Sequence, residues 1–229
     1  MQHPASQQSL SEQTLARARA TILAVAPLIL LAAFVYHPHI VFLPSPEAAA
    51  HAAQMDPQRW AIAHLGVGLG AVLMSLAYVA LRGYLRDMGE NRWSALALPF
   101  LVFGSALYVF LPGLEFTTLA AVVTGGNVVA AQESIDVWFV PVLLLSALSN
   151  AVGIGFLVRG VNRVLDIKAK PIVLTALVVM AISRCVPIGP VHFYVQGLAG
   201  VAALWPIAWE ISRRTTARPV AHSRPMPAT

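Results

Sequence analysis

His64 and His192, with Glu115 and the neighbouring pair His37 and His39, are the residues of this 229-residue chain whose types could do chemistry together. Neutral imidazole nitrogens ligate zinc, copper or iron, and a nearby carboxylate fixes the imidazole tautomer or takes a proton from a metal-bound water. The expected site is a pocket in which His64 and His192 are metal ligands, His37 and His39 join them, and Glu115 is the catalytic base. Asp136, Tyr108, Asn150, Gln196 and Arg184 are its expected supporting residues. Two imidazoles on facing helices are alternatively axial ligands of a b-type haem. Both lie within about a turn of a helix end, a shallow position for a haem. The chain has no HExxH, no HxxxH and no glycine-rich phosphate loop, so the chemistry rests on placement rather than on a linear motif.

Each group also has a simpler reading. An intramembrane histidine commonly hydrogen-bonds a neighbouring helix, and Ser146, Ser149 and Asn150 have the types that join helices. Glu115 and Arg184 could pair as a structural ion bridge. Residues two apart on a helix point to nearly opposite sides, and the residue before Pro38 is biased toward extended geometry. His37 and His39 can therefore share an ion only through an irregular turn. His51 rides a short helix that Ser45 can cap and Pro46 can start.

The elements that must carry these groups are transmembrane. Hydrophobic residues make up 58% of the chain and charged ones only 11%, against about a quarter charged in a soluble domain. The mean hydropathy is +0.71. The apolar residues fall into runs of about twenty, the length that crosses roughly 30 Å of hydrocarbon as a helix. The expected fold class is an all-α integral membrane bundle of six transmembrane helices, near 21–42, 60–82, 94–115, 136–158, 171–188 and 192–211. Residues 1–20 and 212–229 are the expected cytoplasmic tails. The first run follows Arg17-Ala18-Arg19, as in a secretory signal, but is too long for a signal core, so a retained helix is expected.

Charge sets the orientation. Arg17, Arg19, Arg82, Arg86, Arg92, Arg159, Arg163, Lys168, Lys170, Arg213, Arg214, Arg218 and Arg224 flank one side of the spans, and only Arg59 and Arg184 lie toward the other. The positive-inside rule then puts both termini in the cytoplasm and the histidine and acid cluster on the outer side, with a bacterial plasma membrane the expected home. The same reading takes the net charge of +5 as a topology signal and not as a nucleic-acid surface. The one cysteine, Cys185, leaves no intramolecular disulfide or cysteine-pair metal site.

His64, Gly68, Ala71, Ser75 and Tyr78 share a face of the second span, while Gly66 and Gly70 form a small-xxx-small pair that admits a close neighbour on another side. Gly104, Tyr108 and Glu115 share a face of the third span, and His192, Gln196, Ala199 and Ala203 one of the last. Three function classes follow: a metal or haem protein with redox or hydrolytic chemistry; a small-molecule or proton-coupled transporter, or a lipid- or quinone-binding protein, using His64 and Glu115 as titrating groups; and a non-catalytic subunit of a membrane complex or homo-oligomer.

Overall fold

The computed structural model describes residues 4–38, 45–185 and 191–216. The described residues are all-helical, in seven helices: α1 (Pro4–Tyr36), α2 (Pro46–Met55), α3 (Pro57–Asp87), α4 (Arg92–Thr124), α5 (Val128–Val164), α6 (Lys170–Cys185) and α7 (Val191–Thr216). Five stretches are long and apolar enough to cross a membrane: Ser11–Tyr36, Pro57–Asp87, Arg92–Thr124, Val128–Val164 and Val191–Thr216. The expected crossing at 171–188 coincides with α6, whose 16 described residues reach about 24 Å at 1.5 Å per residue. Its last residues, and the Gly189-Pro190 joint after it, lie outside the described residues.

The long helices form a closed ring. α1 packs on α3, α3 on α4, α4 on α5, α5 on α6, α6 on α7, and α7 returns to α1. Spatial order therefore repeats chain order around the ring, with α1 and α3 joined through α2 and the other ring neighbours by shorter connections. The short α2 stands apart from the ring and rests on α3, α4 and α5 at one end.

Burial is inverted relative to a soluble protein. Leu65, Leu69, Val72, Leu76 and Val79 run exposed down α3, as do Phe103 and Phe110 on α4, Leu144 and Leu148 on α5, and Trp209 on α7. Polar Ser105, Thr118, Gln132, Ser146, Asn150 and Gln196 are buried. An apolar exterior of this extent is unfavourable in water and favourable in hydrocarbon, which identifies the fold as a multi-pass helical bundle of the membrane type.

Small residues set how close the helices come. A Cβ on Gly66 would lie 3.0 Å from the Ala33 Cβ, and one on Gly70 would lie 2.9 Å from the Leu30 Cα, so this pair admits α1, the close neighbour its spacing implies. Gly104 faces Asn150 and the Ser146 carbonyl, while Gly153 faces Leu101. Across that seam the Ser146 hydroxyl donates to the Gly104 carbonyl at 2.7 Å and Ser149 to the Phe100 carbonyl at 2.9 Å.

The basic residues gather at one end. Arg19 pairs with Asp87, Glu210 accepts from Arg214 at 2.7 Å and pairs with Arg213 at 3.2 Å, and Arg92 and Arg159 flank the Trp93 ring at 5.0 and 5.2 Å. There the buried Glu90 carboxylate accepts from the backbone N–H groups of Trp93 at 2.6 Å and Ser94 at 2.9 Å. It thus caps α4, whose preceding Asn91 makes no side-chain cap bond.

Two boundaries differ from those the hydropathy implies. α4 runs nine residues beyond Glu115, to a left-handed Gly125 at φ 71°, and α5 starts at Val128 with the Asn127 side chain accepting from Ala130 N–H at 3.0 Å. Glu115 and Asp136 thus lie inside helices rather than at their ends. The mixed polarity of 116–135 lowers hydropathy without breaking either helix, and the turn chemistry of Gly125-Gly126-Asn127 sets the joint.

Candidate functional site

The end of the bundle opposite the arginines is where the imidazoles meet. α1 closes at Tyr36, just before His37-Pro38, as expected of a residue preceding proline. Arg59, in the first turn of α3, fastens that end: its Nε donates to the Tyr36 carbonyl at 2.8 Å and its guanidinium lies 5.4 Å from the centre of the Tyr36 ring. His37 is thereby placed against His64, which lies two turns into α3 and is 6% exposed. The two rings are 4.7 Å apart at 62°, with their Nε2 atoms 3.3 Å apart.

The other nitrogen of each ring decides what that contact is. His64 Nδ1 is 2.7 Å from the Trp60 carbonyl oxygen, and His37 Nδ1 is 2.9 Å from the Pro38 carbonyl oxygen. A carbonyl only accepts, so the tautomer assignment that satisfies both contacts puts each proton on Nδ1 and leaves each neutral ring an Nε2 lone pair. Two lone pairs then converge, an arrangement that calls for a proton or a cation between them. A metal held between them would take His37 and His64 as two imidazole ligands and would need further donors.

Aromatic side chains wall the pair. Trp60, 2% exposed, has its ring 4.5 Å from that of His64 and 6.0 Å from that of His37. Phe193 lies 5.8 Å from His37 and 4.9 Å from Phe34. His192, which was expected to share a centre with His64, has its ring tilted against that of its neighbour Phe193 at 3.9 Å, and it is His37 that faces His64. His39 lies outside the described residues. His51 is on the exposed face of α2, whose start is capped by the Ser45 hydroxyl accepting from Ala48 N–H at 3.2 Å.

Glu115 occupies the far side of Trp60. The indole Nε1 donates to the Glu115 main-chain carbonyl at 3.4 Å. The carboxylate accepts from Gln132 Nε2 at 3.4 Å, and Thr118 in turn donates to Gln132 Oε1 at 2.6 Å. Glu115 Oε2 is buried without a hydrogen-bond partner among the described residues. α2 roofs this cluster, with Ala49 and Ala53 packed on Trp60. Asp136 is half-buried on α5. Among the described residues no three His, Cys, Asp or Glu side chains lie close enough to hold one ion.

Tyr108, Asn150, Gln196 and Arg184 belong elsewhere, deeper in the ring. Arg184 makes no ion pair with Glu115; its guanidinium lies 4.0 Å from the centre of the Tyr108 ring. Sequence reasoning missed Trp60, Gln132 and Thr118. Trp60 was accessible as the residue one turn before His64 on the same face. Gln132 and Thr118 were hidden by the underestimated ends of α4 and α5.

Comparison of the chain with protein-family models, with curated proteins and with solved structures finds no match.

Proposed function

We propose that this multi-pass protein binds a transition metal ion, zinc, copper or iron, between His37 and His64. The carrying observation is the convergence of two Nε2 atoms at 3.3 Å while both Nδ1–H groups are tied to main-chain carbonyls. A histidine whose second nitrogen is anchored in this way has a fixed tautomer and a fixed lone-pair direction, the usual arrangement of a metal-binding imidazole. The open coordination positions face a pocket walled by Trp60 and Phe193, and an exogenous donor completes the set.

The bundle crosses the bilayer six times, with α6 as the shortest crossing, and its arginine-rich end, with both termini, faces the cytoplasm. The metal site then lies at the outer face. A second reading replaces the metal by a shared proton and makes the pair part of a proton-coupled transporter or a quinone-binding protein. It is favoured by the unpartnered Oε2 of Glu115, one indole away.

Metal analysis of purified protein, followed by titration with Zn²⁺ and Cu⁺, separates the two. One equivalent bound in the parent and lost in both His37→Ala and His64→Ala supports the metal site. No saturable binding, or binding indifferent to both substitutions, refutes it.

A further inference from the structure

We propose that the small cavity on the axis of the helix ring is a binding site for a single inorganic anion of chloride's class, held by Arg184. Every helix of the ring contributes to its wall: Leu30 from α1, Met74 and Tyr78 from α3, Ser105 from α4, Asn150 from α5, Arg184 from α6 and Gln196 from α7. Its volume of about 10 Å³ holds one water-sized occupant.

The need for an anion comes from charge. A guanidinium is not deprotonated in a protein, and Arg184 lies fourteen residues beyond Lys170, roughly 21 Å along α6 by the helical rise. In a hydrocarbon layer of roughly 30 Å that leaves Arg184 about 9 Å short of the far boundary, where a bare charge is still costly and a partner is the rule. No described carboxylate is within ion-pair distance of Arg184. The residues outside the description, 1–3, 39–44, 186–190 and 217–229, contain no aspartate or glutamate. The face of Tyr108 stabilises the cation without neutralising it.

The donors around the cavity suit an anion. Arg184 Nε and Asn150 Nδ2 are both buried without a hydrogen-bond partner among the described residues, and Asn150 is 1% exposed. The Ser105 and Tyr78 hydroxyls and the Gln196 amide complete a wall with no carboxylate. The single positive charge and the one-water volume select a monovalent, compact ion over phosphate or sulfate. This site is separate from the imidazole pair and does not depend on it.

The test is the thermal unfolding midpoint of the detergent-solubilised full chain, with chloride exchanged for bulky isethionate at constant ionic strength and a metal chelator present throughout. Chloride and bromide should raise the midpoint saturably, by roughly 5 °C at a hundredfold excess over Kd. Arg184→Gln should lose that response. Gln196→Glu should lose it too while remaining folded, because an internal carboxylate takes the ion's place. A midpoint indifferent to halide, as expected for a cavity holding only water, overturns the proposal. So does an equal chloride response in Gln196→Glu, which decides the matter even if Arg184→Gln does not fold.

Discussion

His37 and His64, 27 residues apart in the chain, present their Nε2 atoms to each other at 3.3 Å. Neither ring is free to turn away, because each is pinned through Nδ1 to a main-chain oxygen. The contact is therefore a property of how α1 ends and how α3 begins rather than of two adaptable side chains.

Replacing either imidazole should weaken Zn²⁺ binding by at least tenfold, and His64→Ala should cost more than His37→Ala because the buried ring is the better anchored of the two. Competition titration against a chromophoric chelator measures both. Binding should also fall as the solution is acidified, since protons compete for the same lone pairs. Equal affinity in parent and both variants would contradict the assignment.

The inside-out burial makes a prediction about tryptophan fluorescence. Trp138 is 66% exposed and Trp209 73%, whereas Trp60 is 2% exposed. In vesicles of brominated lipid, a variant keeping only Trp138 or only Trp209 should be quenched strongly and one keeping only Trp60 hardly at all. Strong quenching of Trp60 would place it at the lipid boundary, against the packing described.

Glu90 gives the fold a pH dependence at its basic end. Burial works to raise its carboxyl, but hydrogen bonds from the Ser94 hydroxyl and the N–H groups of Trp93, Ser94 and Arg92 outweigh this and hold it below its ordinary value of 4.5. A group lowered on folding stabilises fully above its unfolded pKa, and that stability is lost as pH falls through the folded value. Glu90→Gln should lower the unfolding midpoint by about 2–4 °C at pH 7, the effect of losing a cap worth ~1 kcal/mol. The difference from the parent should shrink below pH 4; a constant offset at all pH values would assign the loss to packing instead.

Gly70→Ala tests the closest helix contact. The added methyl meets the Leu30 backbone at 2.9 Å, and backbone cannot swing aside as a side-chain tip can, so α1 must move away. A loss of about 1–3 kcal/mol is expected in reversible denaturation. Gly113→Ala, where a Cβ would meet nothing within 4 Å, is the control and should be neutral or slightly stabilising. Comparable losses in both would rule out the Leu30 contact as the cause, because helix propensity alone favours alanine over glycine.

How much of this was readable beforehand follows from which physical signal each feature leaves in sequence. Hydropathy marks the centres of the long helices well, because hydrocarbon tolerates few charges, and the spacing of Gly66 and Gly70 announces a close helix neighbour without saying which helix it is. The Ser45-Pro46 start of α2 was equally legible, since capping is local chemistry. The upper turns of α4 and α5 were not, because Thr118, Gln132 and Glu133 look like loop residues until their helices are seen to continue past the apolar band. The histidines were singled out by type and depth, but their partners were not. Which imidazole faces His64 depends on the angle at which α1 meets α3, and that is fixed by Arg59 gripping Tyr36 and by glycine contacts far down the interface.

A ring whose spatial neighbours are also chain neighbours has a built-in assembly schedule. Each ring helix can dock on the ring helix before it, and within the ring only the seam between α7 and α1 joins the two ends of the chain. The imidazole pair belongs to an early hairpin and can form while the polypeptide is still emerging. The axial cavity, walled by all six ring helices, exists only once the last one arrives, so halide occupancy would report completed closure and imidazole geometry would not.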